Sequence, residues 1–179
     1  MGYQAATANT TGVANTAMGH NSFDANTTGG SNVAIGAQSL SGNTTASNNV
    51  AIGAFCMRDN TTGASNTGVG KGALTHLTTS SNNTAIGTNA LNLATTGSLN
   101  CAVGSFALDA VTTGGENTAM GEGTLSECTT GTGNSGFGRQ ALVSATTSSN
   151  NTGIGYKSLL TVTTGTNNTA IGAFTGISQ

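Results

Sequence analysis

The chain has 179 residues, of which 6% are charged and 4% aromatic, with 28 glycines, no proline, no tryptophan and a formal net charge of −2. Four Lys/Arg over that length neutralise too few phosphates to hold a nucleic acid, and no apolar run approaches the roughly 18 residues that a membrane-spanning helix needs. Low net charge without proline also separates the chain from ordinary disordered low-complexity sequence, and points to a backbone that satisfies its own hydrogen bonds around small, closely packed side chains.

Every predicted element is one copy of the same unit. Glycine recurs at 2, 19, 36, 53, 70, 87, 104, 121, 138, 155 and 172, always 17 residues apart. Asn stands four residues before each glycine from Gly19 onward, at Asn15, Asn32, Asn49, Asn66, Asn83, Asn100, Asn117, Asn134, Asn151 and Asn168. Thr-Thr follows each glycine from Gly2 to Gly155 by eight and nine residues, from Thr10-Thr11 to Thr163-Thr164. A gapless period means that units stack in register. Seventeen residues are too few for a helix pair, and the Gly content and Thr/Val/Ile bias oppose helix. The expected fold is all-β: one domain over 1–179, a parallel β-solenoid (β-roll) of about ten 17-residue coils across 2–172, with an irregular end at 173–179. At about 4.8 Å per coil it makes a rod of roughly 50 Å.

Within a coil, Asn-Thr-Ala-Ile-Gly reads as the first strand, its alternation placing Thr/Val and Ile on one face and Ala on the other. The x-Ala-Leu segment that follows is expected to be a second strand. Thr-Thr-Gly-x-x-Asn reads as the return turn, with Gly at positive φ and Asn bonding to local backbone. The Asn column can also form an amide ladder along the rod.

Large apolar positions are few, and form a candidate core or interface stripe. One column precedes the glycine (Ile35, Ile52, Ile86, Ile154, Ile171, with Met, Val or Phe in other coils); the other lies four after it (Leu40, Leu74, Leu91, Leu108, Leu125, Leu142, Leu159, with Phe23 and Met57). Two such side chains per 17 residues make a thin interior for a lone cylinder. The expectation is that part of the stripe faces other chains, most simply in a trimer.

Along the chain, the residue before Thr-Thr is Asn9, Asn26, Asn43 and Asn60, then Leu77, Ala94, Val111, Cys128, Ala145 and Val162, so the C-terminal half is more apolar there. Cys56, Cys101 and Cys128 occupy different coil positions and read as small side chains in small slots rather than as disulfides or metal ligands. His20 and His76 lie coils apart, and the acids Asp24, Asp59, Asp109, Glu116, Glu122 and Glu127 are scattered over variable, outward positions. With no convergent constellation, the expectation is a non-enzymatic protein without cofactor or metal. Gly131-Thr132-Gly133-Asn134-Ser135-Gly136 matches the dinucleotide fingerprint but straddles an ordinary turn and strand. Asn9, Asn26, Asn43, Asn60, Asn82, Asn150 and Asn167 begin glycosylation sequons, which an Asn- and Thr-rich repeat generates by chance. The Thr-Thr pairs suggest an ice-binding array, but adjacent strand residues face opposite ways, which leaves one outward Thr column.

The units Asn32-Val33-Ala34-Ile35-Gly36 and Asn83-Thr84-Ala85-Ile86-Gly87 resemble the repeated motif in the head domains of trimeric autotransporter adhesins, and Thr78 through Leu91 looks still more like the repeats of bacterial and phage tail-fibre proteins. The resemblance implies a left-handed parallel β-roll, three chains wide in the adhesins, whose own repeat is shorter. It also implies a surface or virion fibre that presents or adheres. The functional expectation is therefore a structural or adhesive fibre segment, extracellular, on a cell surface or on a virion. It would self-associate as a homotrimer or head-to-tail filament, with a host receptor or glycan as partner and neither nucleic acid nor membrane insertion. A repeat that starts at once suggests either a piece of a longer fibre or rods stacked end to end. The competing expectation is a monomeric solenoid that binds ice or glycan.

Overall fold

The structure, a computed structural model, describes residues 2–176. It is a β-solenoid whose single sheet contains β1 (Thr16–Met18), β2 (Val33–Ile35), β3 (Val50–Ile52), β4 (Thr67–Val69), β5 (Thr84–Ile86), β6 (Cys101–Val103), β7 (Thr118–Met120), β8 (Ser135–Phe137), β9 (Thr152–Ile154) and β10 (Thr169–Ile171). All neighbours are parallel and stand in chain order, each residue pairing with the one 17 further on, as in Val33 with Val50 and Ile35 with Ile52. The described residues include no helix, and so none long and apolar enough to cross a membrane.

Each strand is three residues long because a glycine ends it. Gly87 has φ 138°, and a Cβ there would lie 2.5 Å from the carbonyl oxygen of Gly104 in the next coil. The invariant glycine thus answers two demands at once, a left-handed backbone and a stacked backbone in contact.

The expected second strand is absent. After Gly87 the chain closes a β-turn, with Ala90 N–H donating to the Gly87 carbonyl at 3.3 Å and Asn89 at φ 54°. Leu91 follows at φ 49°, and the residue at this position repeats it in every coil from Phe23 to Leu159, Met57 included. The stack holds these left-handed residues by bonding in both directions along the rod. Asn89 N–H reaches back to Lys71 O at 2.9 Å, and Leu91 N–H reaches forward to Ala107 O at 3.0 Å. Inter-coil hydrogen bonding therefore continues without an extended backbone.

The return turn also differs from expectation. The glycine after Thr-Thr is not the left-handed residue; that role falls two positions later, to Ala14, Ser31, Asn48, Ser65, Asn82, Leu99, Glu116, Gly133, Asn150 and Asn167. A left-handed residue other than Gly, Asn or Asp costs about 1 kcal/mol or more. Leu99, 56% exposed, sits there at φ 64°. Leu99→Asn, which restores the residue of the sibling coils, is expected to raise stability by about 0.5–1 kcal/mol, measurable as a higher denaturation midpoint.

The core lies inside one chain. Leu40, Met57, Leu74, Leu91, Leu108, Leu125 and Leu142 are fully buried, together with the strand alanines Ala34, Ala51, Ala85, Ala102 and Ala119. The residues before Thr-Thr fill the same interior, as Asn26, Asn43 and Asn60 and then Leu77, Ala94, Val111 and Cys128. Volume is traded between neighbouring coils. Cys56 takes a slot that holds Ala or Ser in most coils, and Gly68 of β4 faces it; an added Cβ on Gly68 would lie 2.5 Å from Cys56 Sγ. Thr124 and Gly136 repeat the trade, with Cγ2 at 2.6 Å from such a Cβ. Gly68→Ala is expected to cost about 1–3 kcal/mol by overpacking. Cys56→Ala in the same chain should recover most of that, a coupling that a double-mutant cycle reads directly.

Candidate functional site

Two amide ladders run through the rod. In the first, the strand-preceding Asn of each coil accepts the backbone N–H of the next coil's Asn on its Oδ1, from Asn32 N–H to Asn15 at 2.9 Å up to Asn168 N–H to Asn151 at 3.0 Å. Its Nδ2 donates to a carbonyl 14 residues on, as from Asn100 to Gly114 O at 2.9 Å. In most coils Nδ2 also donates back to the preceding Oδ1, as from Asn117 to Asn100 at 3.1 Å. Asn32, Asn49, Asn66, Asn83, Asn100, Asn117, Asn134 and Asn151 are buried, and the end members Asn15 and Asn168 are half-buried.

The second ladder was not anticipated. Asn26, Asn43 and Asn60 each donate Nδ2 to the Oδ1 of the preceding coil's Asn, at 2.7, 2.9 and 3.1 Å. It stops where Leu77 replaces the next Asn, leaving Asn60 Oδ1 buried without a partner. The available signal was the switch from Asn to Leu at this position, which pointed to a change of interior rather than to a hydrogen-bonded column. These three sequon asparagines are thus enclosed, whereas Asn82, Asn150 and Asn167 are exposed.

The Thr-Thr pairs divide their work. The first hydroxyl donates to a carbonyl of the next coil, from Thr10 to Thr27 O at 2.7 Å and from Thr146 to Thr163 O at 3.2 Å, with the intervening coils alike. The second threonine is exposed, from Thr11 to Thr164, as a single column.

The Ile/Leu stripe is divided too. Its leucines point inward, while the residue before each glycine lies on the sheet's outer face: Ile52, Ile86, Met120, Phe137 and Ile154 are 36–43% exposed, with Ile35, Val69 and Val103 half-buried between them. Val33, Val50, Thr67, Thr84, Cys101 and Thr118 form a parallel, half-buried column two residues before it. The sheet therefore presents a long face of apolar and β-branched side chains that carries no charge.

Ionic groups are sparse, and one cluster gathers several of them. Arg58 grips Asp59 with Nε–Oδ1 at 2.7 Å and Nη2–Oδ2 at 2.9 Å, and His76 Nδ1 lies 2.8 Å from Asp59 Oδ2. The Arg58 hydrogen bonds, followed by that of His76, hold the Asp59 carboxyl below its usual value against some desolvation. Elsewhere Arg139 pairs with Glu122 and lies over the Tyr156 ring, and His20 stacks on Tyr3 with centroids 5.6 Å apart. Burial pushes the Cys56 thiol up to about 12 and that of Cys128 up to about 11, so both stay protonated core side chains; Cys101 lies half-buried on the sheet face. Among the described residues no group of three or more His, Cys, Asp or Glu is placed to hold a metal ion. The dinucleotide-like glycines run through a turn into β8, with no helix following.

No protein-family model, curated protein or solved structure matches the chain.

Proposed function

We propose that the chain is a structural and adhesive fibre segment, working outside a cell or on a virion, whose rods associate through the outer face of the sheet. The observation that carries this reading is the uncharged column from Ile35 to Ile154, which lays half-exposed apolar side chains coil after coil along one face, as interaction surfaces do. Ten rungs of two columns give a face of about 43 by 10 Å, or roughly 400 Å². That is about half of what each partner contributes to a standard two-body interface. Three stripes converging on a common axis cover one another more fully, which favours the homotrimer implied by the sequence resemblance. End-to-end stacking into a filament is compatible with the same lateral contact.

Native mass spectrometry with sedimentation over a range of concentrations tests the proposal. The expected result is an oligomer, reduced to monomer by Ile52→Lys with Ile86→Lys at unchanged β content. A wild-type chain that stays monomeric throughout would overturn it.

A further inference from the structure

Where the sheet face is uncharged, the opposite character gathers on one edge of the N-terminal coils. There an open groove of about 490 Å³ is lined by Asn21, Asp24, Gln38, Ser41, Arg58 and Asp59, with Ala25 and Gly42 leaving its floor low. It exceeds the hollows at Ala5–Ala17 and Ser98–Thr132, of about 240 and 360 Å³. The lining comes from three successive coils, hence about 10 Å of rod. Further along the rod, Leu93, Val143 and Leu160 stand in the same columns.

The groove holds unmet hydrogen-bonding capacity. Asn21 Oδ1 has no partner but is buried out of a ligand's reach, so the groups a ligand can meet are those of its neighbours. Among the described residues, the Asp24 carboxylate and the Gln38 amide likewise make no side-chain hydrogen bond or ion pair, while Arg58 uses only Nε and Nη2 on Asp59. Acceptors and donors therefore face a common space across the coils.

The charges narrow the ligand. Arg58 is cancelled by Asp59, and Asp24 leaves the groove negative, so phosphate, sulfate and acidic sugars are disfavoured. His76 is hydrogen-bonded to Asp59, and among the described residues no group of three or more His, Cys, Asp or Glu is placed to hold a metal ion. A group that donates and accepts at once, repeated at short spacing and uncharged, is a row of hydroxyls. We infer that this groove binds a neutral saccharide, with Asp24 accepting from its hydroxyls and Gln38 and Arg58 donating to them.

This deepens the adhesive part of the function proposed above by giving it a ligand class. Heteronuclear NMR titration of the whole chain with lactose, maltose, cellobiose and diacetylchitobiose, and with inorganic phosphate and sialic acid as anionic comparators, tests it. At least one neutral disaccharide should give saturable shifts at the Asn21 and Gln38 side-chain amides and at Gly42. The equivalent Asn89 and Gln140 of other coils should stay unmoved. Asp24→Ala, and Gln38→Gly, which keeps the left-handed backbone, should each weaken binding about tenfold or more at a melting midpoint within about a degree of wild type. Absence of saturable shifts with every neutral probe, equal shifts at Asn89 and Gln140, or binding of the anions alone would each overturn the inference. Oligomeric state is measured separately, so a saccharide-binding monomer removes the assembly proposal and leaves the groove, and a non-binding oligomer does the reverse.

Discussion

Leu91→Ala is expected to destabilise the rod by about 3–4 kcal/mol, and Ile86→Ala, only five residues away, by less than about 1 kcal/mol. Leu91 is fully buried, so truncation removes both its transfer free energy and the packing of the alanines and leucines around it. Stacked coils hydrogen-bonded on both sides have little freedom to collapse into the space. Leu91 occupies a left-handed backbone at φ 49°, and Ala would inherit the same strain, so the difference between the variants reads the cavity rather than the turn. Ile86 is 42% exposed on the outer face of β5. Its truncation gives up little that folding of one chain had buried, and should instead weaken association between chains. Guanidinium denaturation at low protein concentration, paired with sedimentation, separates the two effects. Equal losses of stability would show that the two columns are not inside and outside, and would remove the basis for lateral assembly.

That division marks where sequence reasoning stopped. The 17-residue period, the parallel stacking and the alternation of Thr/Val and Ile against Ala were legible because strand side chains alternate and an in-register stack repeats its pattern without gaps. The inward turn of Leu40, Leu91 and their equivalents was not legible. Leucine in a left-handed turn runs against intrinsic preference, and only inter-coil bonds such as Leu91 N–H to Ala107 O hold it there. An Ala-Leu pair with no turn signal accordingly read as strand. The glycine after Thr-Thr was assigned a positive φ that belongs to the residue two positions later, since in a stack glycine answers to close approach as much as to dihedral freedom. The groove was invisible for a related reason. Asp24, Gln38 and Arg58 are scattered in sequence, and only the coil period lays them side by side, between columns that small residues keep low.

The ladder supplies the other large effect, and one whose size changes with pH. Asn83 donates Nδ2 to Asn66 Oδ1 at 3.2 Å, Ser80 Oγ at 3.0 Å and Gly97 O at 3.0 Å, and accepts Asn100 N–H on Oδ1 at 3.0 Å. Asn83→Asp keeps the acceptor and turns the donor into a second acceptor, set against the Asn66 and Gly97 oxygens. At neutral pH the variant places an unpaired carboxylate among buried acceptors, and the expected loss is about 3–5 kcal/mol. Desolvation and the facing oxygens both disfavour the charged form, so the folded pKa of the new Asp lies above its unfolded value of about 3.9. A raised folded pKa means that the acid's contribution is fully present below about pH 4 and is lost as pH rises through the folded value. Protonation also restores a donor toward Gly97 O. The gap between variant and wild type should therefore narrow as pH is lowered from 7 to about 4. Asn83→Leu, which has no proton to gain, should show a pH-independent loss. The native Asp59 runs the other way: its pKa is lowered, chiefly by Arg58, so its contribution holds above about pH 3.9 and fades as pH falls through its folded value, and being partly exposed it is small. Melting midpoints of the three proteins across that pH range carry the test. A variant gap that stays constant or widens on acidification would show that the column is not a relay of amide donors and acceptors, and that the repeated Asn serves the turn alone.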